Sequence, residues 1–374
     1  MKSSERDLDK RPVRVWYFSD LHGSELCYLK LLALASQVTR DGSVDAIVVG
    51  GDLCGDRLVP VSRTAEGWIA QFEGQFVDLK SANDLERFSH RLALKGSYAH
   101  ECSDEEALRI QQDSEYAQQL LDRLALQRFE KWLSQLHTAL CAEEGGSCKL
   151  ILNTGSGDPL ELDEILRRDP VVYFAESTVV QLPEAITIAS TAYREFLDVG
   201  TFNGLMRRKV SPQELSDRIH HLLITVPTFS RCIFNFHVPP FGTAADQVGN
   251  PEHWPISPQH SGSPKIRQAI EFYEPLASLH GYAHNSRSHT TIKKTHVINP
   301  GSEFYNGRLL GALLEIDPEG ELVWHLTEDP LIEADIVKDD KLFNIVIKSV
   351  VKNFVPFVGP ILKVLDEIQK ETRG

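Results

Sequence analysis

The residue types best suited to chemistry fall at four places in the chain. Asp20 and His22 stand two apart in Ser-Asp-Leu-His-Gly, and Asp52 closes Gly-Gly-Asp. His237 ends CIFNFH, and His284 ends LASLHGYAH. Carboxylate and imidazole donors in one site suit a divalent transition metal such as Mn, Fe, Zn or Ni. Each piece alone says little, because Asp is at home in a solvated turn. Their shared context says more: every member follows an apolar, strand-like run, and open α/β sheets present ligands at the carboxyl ends of their strands.

Those donors need a sheet to hold them. Residues 13–19 (VRVWYFS) read as a buried strand, 26–38 carry apolar residues at helical spacing, and 44–50 (VDAIVVG) form a second β-branched run. Together they predict a β-α-β unit and a parallel sheet with covered faces. Further β-like runs fall at 148–153, 171–174, 177–182, 185–190, 231–237 and 276–280. A hairpin over 308–327 turns at Pro318-Glu319-Gly320. Between the second and third strands lies an insertion, 55–147, expected to be mainly helical. Within it Ser103 and Glu106 fit a capping box, and apolar residues recur at 117, 120, 121, 124, 129, 132, 133, 136 and 140. The predicted organisation is an N-terminal tail (1–12), one α/β domain (13–330) and a C-terminal helical tail (331–374). That tail is apolar but broken by Pro356 and Pro360. It fits a docked helical pair, an oligomerisation or partner-binding helix, or a peripheral membrane anchor.

Composition narrows the partners. The 374 residues carry a formal net charge of −14, which disfavours a nucleic-acid surface. A phosphorylated small molecule stays compatible, since a bound dication reverses the local field. The six cysteines (27, 54, 102, 141, 148, 232) include no CxxC pair, as expected of free thiols in a reducing compartment. The first twelve residues lack an apolar signal core, and no run of 18 apolar residues occurs. A cytoplasmic location is the expectation.

Taken in order, Asp-x-His, Gly-Asp, His and Gly-x-x-His resemble the signature of the calcineurin-like metallophosphoesterases. The resemblance spans roughly 13–327 and is carried by YFSDLHGS, VVGGDL, FNFHVPPFG, and LASLHGYAHNS running on into INPGSEFYNGRLLGALLEI. It implies a double β-sheet sandwich flanked by helices. It also implies that Asp20, His22 and His284 hold a first metal, that Asp52 bridges, and that His237 serves a second. The reaction implied is hydrolysis of a phosphomonoester or phosphodiester by direct attack of water, with Asp52, His237 and Asp158 in catalytic roles.

Two departures concern the second metal. The family's Gly-Asn-His/Asp-Asp element falls on TGSGDP (154–159), so Ser156 stands at the Asn position and Gly157 at the next. In Gly281-Tyr282-Ala283-His284 the first histidine of the family's pair is replaced by Tyr282. Ser156 and Tyr282 are thus weakened ligand positions, and one or two ions are compatible with the pattern. Asp158 swinging inward, Tyr282 as phenolate, or His280 moving in would each repair the loss. The rival reading is a weakened or inactive relative that binds a phosphorylated ligand or a protein partner, including a second copy of itself. Arg194 and Arg267 are candidates for phosphate contacts, Asp246 for a turn at the pocket, and Asn299 and Ser302 for shaping the loop beneath the metals.

Overall fold

The computed structural model describes residues 11–141, 148–195, 207–248 and 259–330. Two six-stranded sheets face each other. The first runs in the order Leu322–Glu328, Leu310–Ile316, Val13–Phe18, Ala46–Val49, Lys149–Leu152, Tyr173–Phe174. The second runs Ser288–Ile292, Thr295–Asn299, Ala277–Leu279, Cys232–Phe236, Thr187–Thr191, Val179–Gln181. In both, the central strands are parallel; the hairpin Leu310–Ile316 and Leu322–Glu328 closes one side of the first, and antiparallel strands close both edges of the second.

Strand alternation explains the layering. Val13, Val15 and Tyr17 enter the core between the sheets, with Val48, Ile151, Ile188, Ile233 and Leu314. Phe18, Ile47 and Val49 face the other way, onto the helices Glu25–Asp41, Ser114–Cys141 and Glu161–Arg168. Phe234 and Phe236 do the same on the second sheet, against Pro212–Leu223 and Pro264–Tyr273. The result is a helix–sheet–sheet–helix sandwich, the α/β class that the β-α-β reading predicts. The helix after the first strand begins at Ser24, whose Oγ accepts from Cys27 N, and stops at Gly42, left-handed at φ 62°.

The insertion corrects the sequence-based expectation of a mainly helical segment. Its first half is a four-stranded sheet in the order Gln75–Leu79, Gly67–Phe72, Arg57–Thr64, Ser97–Cys102, backed by the helix Ala82–Leu94 through Phe88 and Leu92. Pro60 concealed it, since proline argues against a central strand. Here Pro60 precedes Val61, where pairing to Gly67–Phe72 begins, so its missing N–H costs nothing on that side. Only the second half is helical: Asp104–Gln112 and Ser114–Cys141. The capping box is half formed. Ser103 Oγ accepts from Glu106 N at 3.2 Å, but the Glu106 carboxylate turns to His100 and to Tyr116 Oη, at 3.0 and 2.6 Å.

The long helix stacks Trp132 on Tyr28, ring centroids 4.7 Å apart, and its Arg128 bonds the carbonyls of Gly23 and Ser97. Insertion and main sheet are thereby clamped beside the strand ends that matter. Among the described residues no helix is long and apolar enough to cross a membrane. The expected tail, 331–374, lies outside the described residues, as does the N-terminal tail up to residue 10.

Candidate metal centre

Just past the strands Val13–Phe18 and Ala46–Val49, two turns run side by side. Asp20 N donates to Gly51 O, His22 N to Asp52 O and Gly23 N to Leu53 O, at 2.8 to 2.9 Å. This short ladder sets Asp20, His22 and Asp52 in fixed register. It is built from strained backbone: Asp20 (φ 56°), His22 (φ 44°), Asp52 (φ 47°) and the facing Tyr282 (φ 63°) are all left-handed. That conformation costs side-chain-bearing residues roughly 1–2 kcal/mol each, and such strain clusters at functional sites. Glycines permit the close approach of the other loops. A Cβ on Gly155 would collide with Asp52, and one on Gly281 with Ser19 and Asp20.

Five predicted residues meet here. His22 Nε2 lies 2.9 Å from His284 Nε2, and His284 Nε2 lies 3.3 Å from Asp20 Oδ1. Asp52 Oδ2 is 3.3 Å from His237 Nε2 and 3.9 Å from His22 Nε2. The donors form two interlocked triplets, Asp20–His22–His284 and Asp20–Asp52–His237. Asp20 is common to both, whereas the sequence reading placed only Asp52 between the metals.

These residues fit a divalent ion. Two donors about 2.1 Å from one cation at a right angle are about 3.0 Å apart, close to the edges observed. His237 is fully buried, and neither ring nitrogen has a hydrogen-bond partner; its approach to Asp52 is near but misaligned. His22 Nδ1 is likewise buried and unpartnered. The 2.9 Å between His22 Nε2 and His284 Nε2 is also the spacing of two ligands on one cation.

Electrostatics tell the same story. Burial pushes the Asp20 carboxyl up, but hydrogen bonds from His22 and His284 and the nearby imidazole charges hold it well below the usual range. Burial opposes the charged form of Asp52 too, and the His237 charge wins, lowering it to about 2. His22 and His237 are disfavoured as cations by burial, yet Asp20 and Asp52 raise each to about 9. Without a metal, two carboxylates are balanced by two imidazolium ions, and a single dication would supply the same charge.

Neighbouring groups fix the carboxylates. Tyr282 N donates to both Asp20 oxygens at 3.0 Å, Ser302 Oγ donates to Asp20 O at 2.7 Å, and Gly157 N donates to Asp52 Oδ1 at 2.9 Å. Asn299 Nδ2 bonds the carbonyls of Ala245, Gly281 and Ala283, holding the loop that delivers His284.

The proposed repairs of the second site do not form. Asp158 is not poised to swing inward or to serve catalysis: one oxygen accepts from Leu53 N and Gly155 N, the other from Cys54 N, at 2.7 to 3.0 Å. It is a buried staple between the Asp52 turn and the 153–158 loop. Burial and the Asp52 charge push its carboxyl up, against those backbone donors and Arg208. Tyr282 donates no phenolate either. Burial raises its hydroxyl's pKa despite Arg194, whose guanidinium bonds that hydroxyl. His280 is fully buried with Nδ1 tied to the carbonyls of Phe236 and Val238, at 2.7 and 3.1 Å, and burial drops it to about 4. Ser156 is buried and offers its backbone carbonyl to Arg207 N.

Other candidates fall outside the donor set. Asp246 is a fully buried turn residue accepting from Gly242 N, Thr243 N, Gly262 N and His260. Arg267 pairs with Glu271 and the Phe241 carbonyl at the surface.

Three contributors escaped the sequence reading. Phe304 packs on His22 and His284, centroids 4.5 and 5.8 Å away, covering one side of the first triplet. Fully buried Arg208 holds the 153–158 loop through the carbonyls of Gly155 and Asp158, 2.8 Å each. Asn153, directly after a strand, is fully buried with neither side-chain polar atom partnered. Only Phe304 had a signal, its place in the run after the Asn-Pro-Gly-Ser turn.

No protein-family model matches the sequence, and no curated protein matches it. Among solved structures, the chain is similar to TT1561 of Thermus thermophilus, at 14% identity and TM-score 0.44 over 84% of this chain and 99% of that one. It is also similar to a dimetal phosphatase from Danio rerio, at 7% identity and TM-score 0.40 over 82% and 96%. A 5'-nucleotidase precursor, again of Thermus thermophilus, aligns at 10% identity and TM-score 0.30 over 91% and 59%. Overlaps this low carry no weight for the chemistry, which stands on the side chains.

Proposed function

We propose that the chain is a calcineurin-like metallophosphoesterase that hydrolyses a small phosphomonoester or phosphodiester. The observation that carries this reading is the pair of interlocked donor triplets sharing Asp20 at the carboxyl ends of parallel strands. The mixed donors suit Mn, Fe, Zn or Ni. When bound, such ions polarise phosphoryl oxygens and make water a nucleophile near neutral pH.

The residues of the chain prepare that step. Gly157 N occupies Asp52 Oδ1, which leaves Oδ2 facing His22 and His237. Tyr282 N and Ser302 lock Asp20, and Phe304 excludes water beside His22. No carboxylate or imidazole stands at Gly157, and Asp158 is occupied by backbone amides. Among the described residues neither position offers the leaving group a proton, which favours esters of acidic alcohols such as phenols.

The test is turnover of an aryl phosphate and a bis-aryl phosphate by protein loaded with Mn, alongside metal content by mass spectrometry. The reading predicts hydrolysis of at least one ester and its loss in Asp52→Asn. Bound metal with no turnover of either ester would instead favour a phosphorylated-ligand-binding protein, the role to which Ser156, Gly157 and Tyr282 lend support. Absence of bound metal would refute both.

A further inference from the structure

The row of residues just behind the donors is polar on both sheets. Strand register aligns Ser19, Gly50 and Asn153 on the first sheet, one inward-facing step above Tyr17, Val48 and Ile151. On the second sheet Ser190 and Asn235 pair one step above Ile188 and Ile233, and His237 is the next inward residue on that strand. Ser19 is 3% exposed; Asn153, Ser190, Asn235 and His237 are 0% exposed. Asn235 Nδ2 donates to Ser190 Oγ at 3.0 Å. Yet both polar atoms of Asn153, Asn235 Oδ1 and His237 Nδ1 reach no hydrogen-bond partner, while the Tyr17 hydroxyl reaches over Gly50 toward Ser19.

Each buried polar atom left unpaired costs about 1–3 kcal/mol, far too much for a whole cluster in one place. Packed sheets lie about 10 Å apart; Tyr17 takes up the space over Gly50, and the Ser and Asn side chains around it are shorter than the Ile and Val pairs one step below. A polar, roomy interior offering each molecule two to four partners is where buried water resides. His237 lies directly above it. A metal-ligating histidine almost always gives its second ring N–H to an acceptor, and removing such an acceptor typically weakens the metal about 10–100-fold.

The geometry points to a buried water-binding chamber between the sheets, lined by Ser19, Asn153, Ser190 and Asn235, that supplies His237 Nδ1–H with its acceptor. Water is its ligand, and Asn153 and Asn235 are positioning residues for the metal centre. The inference deepens the metallophosphoesterase reading and rests on it for its consequence, but the chamber itself is testable alone.

A crystal structure resolving solvent tests the chamber directly: ordered water is expected between Asn153 and Asn235, and a dry or collapsed interior overturns the proposal. Its role is tested by calorimetric Mn titration of the full chain. Asn153→Leu and Asn235→Leu should bind Mn about 10–100-fold more weakly, with circular dichroism checking that each variant is folded. Wild-type affinity in both folded variants overturns the proposal. Should either Leu variant fail to fold, Asn153→Ser against Asn153→Ala decides, with the hydroxyl expected to preserve affinity and equal loss in both overturning the role. A wild-type chain that binds no Mn would refute the metal-centre reading instead, whatever the solvent structure shows.

Discussion

Metal binding should release protons, and the number follows from the site. His22 and His237 titrate at about 9 in the metal-free chain because buried carboxylates stabilise their charged forms. A ligating imidazole must be neutral, so an ion at the Asp20–His22–His284 triplet displaces the His22 proton and one at Asp20–Asp52–His237 displaces that of His237. At pH 7, about two units below the titration, each displacement costs about 3 kcal/mol. Affinity should then rise about tenfold per pH unit and per ion up to about pH 9, hence about 100-fold between pH 6 and 8, and level off above. Calorimetry in buffers of different ionisation enthalpy counts the protons. Release of about one per ion at pH 7 is expected, and His237→Gln should remove the proton belonging to its own triplet. Buffer-independent heats with flat affinity from pH 6 to 8 would refute the charge balance argued for the site.

Three further experiments probe the same residues. Stability of the metal-free chain should change with pH in a fixed sense: the raised histidines contribute fully below about pH 6.5, and that contribution is lost as pH rises through about 9. The melting temperature without metal should therefore fall from pH 7 to 9.5, and an unchanged value would contradict it. Asp158→Asn exchanges a carboxylate that accepts three backbone N–H groups for an amide that must turn donors toward some of them, and should cost about 3–5 kcal/mol in a denaturant titration. A loss of activity with full stability would instead restore Asp158 to catalysis. Tyr282→His places an imidazole where the family resemblance expects a ligand and should increase Mn bound per chain at fixed free metal, read by mass spectrometry; an unchanged count would mean the position does not face the second ion.

The sequence disclosed the cluster of candidate donors because their signal is local: an apolar run followed at once by Asp or His. The β-α-β unit was legible in the apolar runs 13–19 and 44–50, and the double-sheet sandwich followed from the family resemblance. What stayed hidden is relational. Asp158, which the family resemblance put in catalysis, is a staple only once the Asp52 turn is laid against it, and nothing in the sequence marks Arg208 as fully buried. Asn153 closes the predicted strand 148–153, and only the pairing of that strand turns it inward. The sheet of the insertion was masked by Pro60 and by partly exposed strands whose alternation is weak.

The backbone ladder between the Asp20 and Asp52 turns also bears on how the chain is assembled. Its partners, and His237 and His284 beyond them, come from distant stretches of sequence, so an unfolded chain offers a dication no preformed cage. Metal then selects the native state alone, adding about 2.7 kcal/mol of stability at about one hundred times its dissociation constant. Because the ladder joins two parallel strands across a helix, its contacts repay their loop-closure entropy only once those strands pair. A metal held as proposed would raise the native population by mass action, in step with its free concentration.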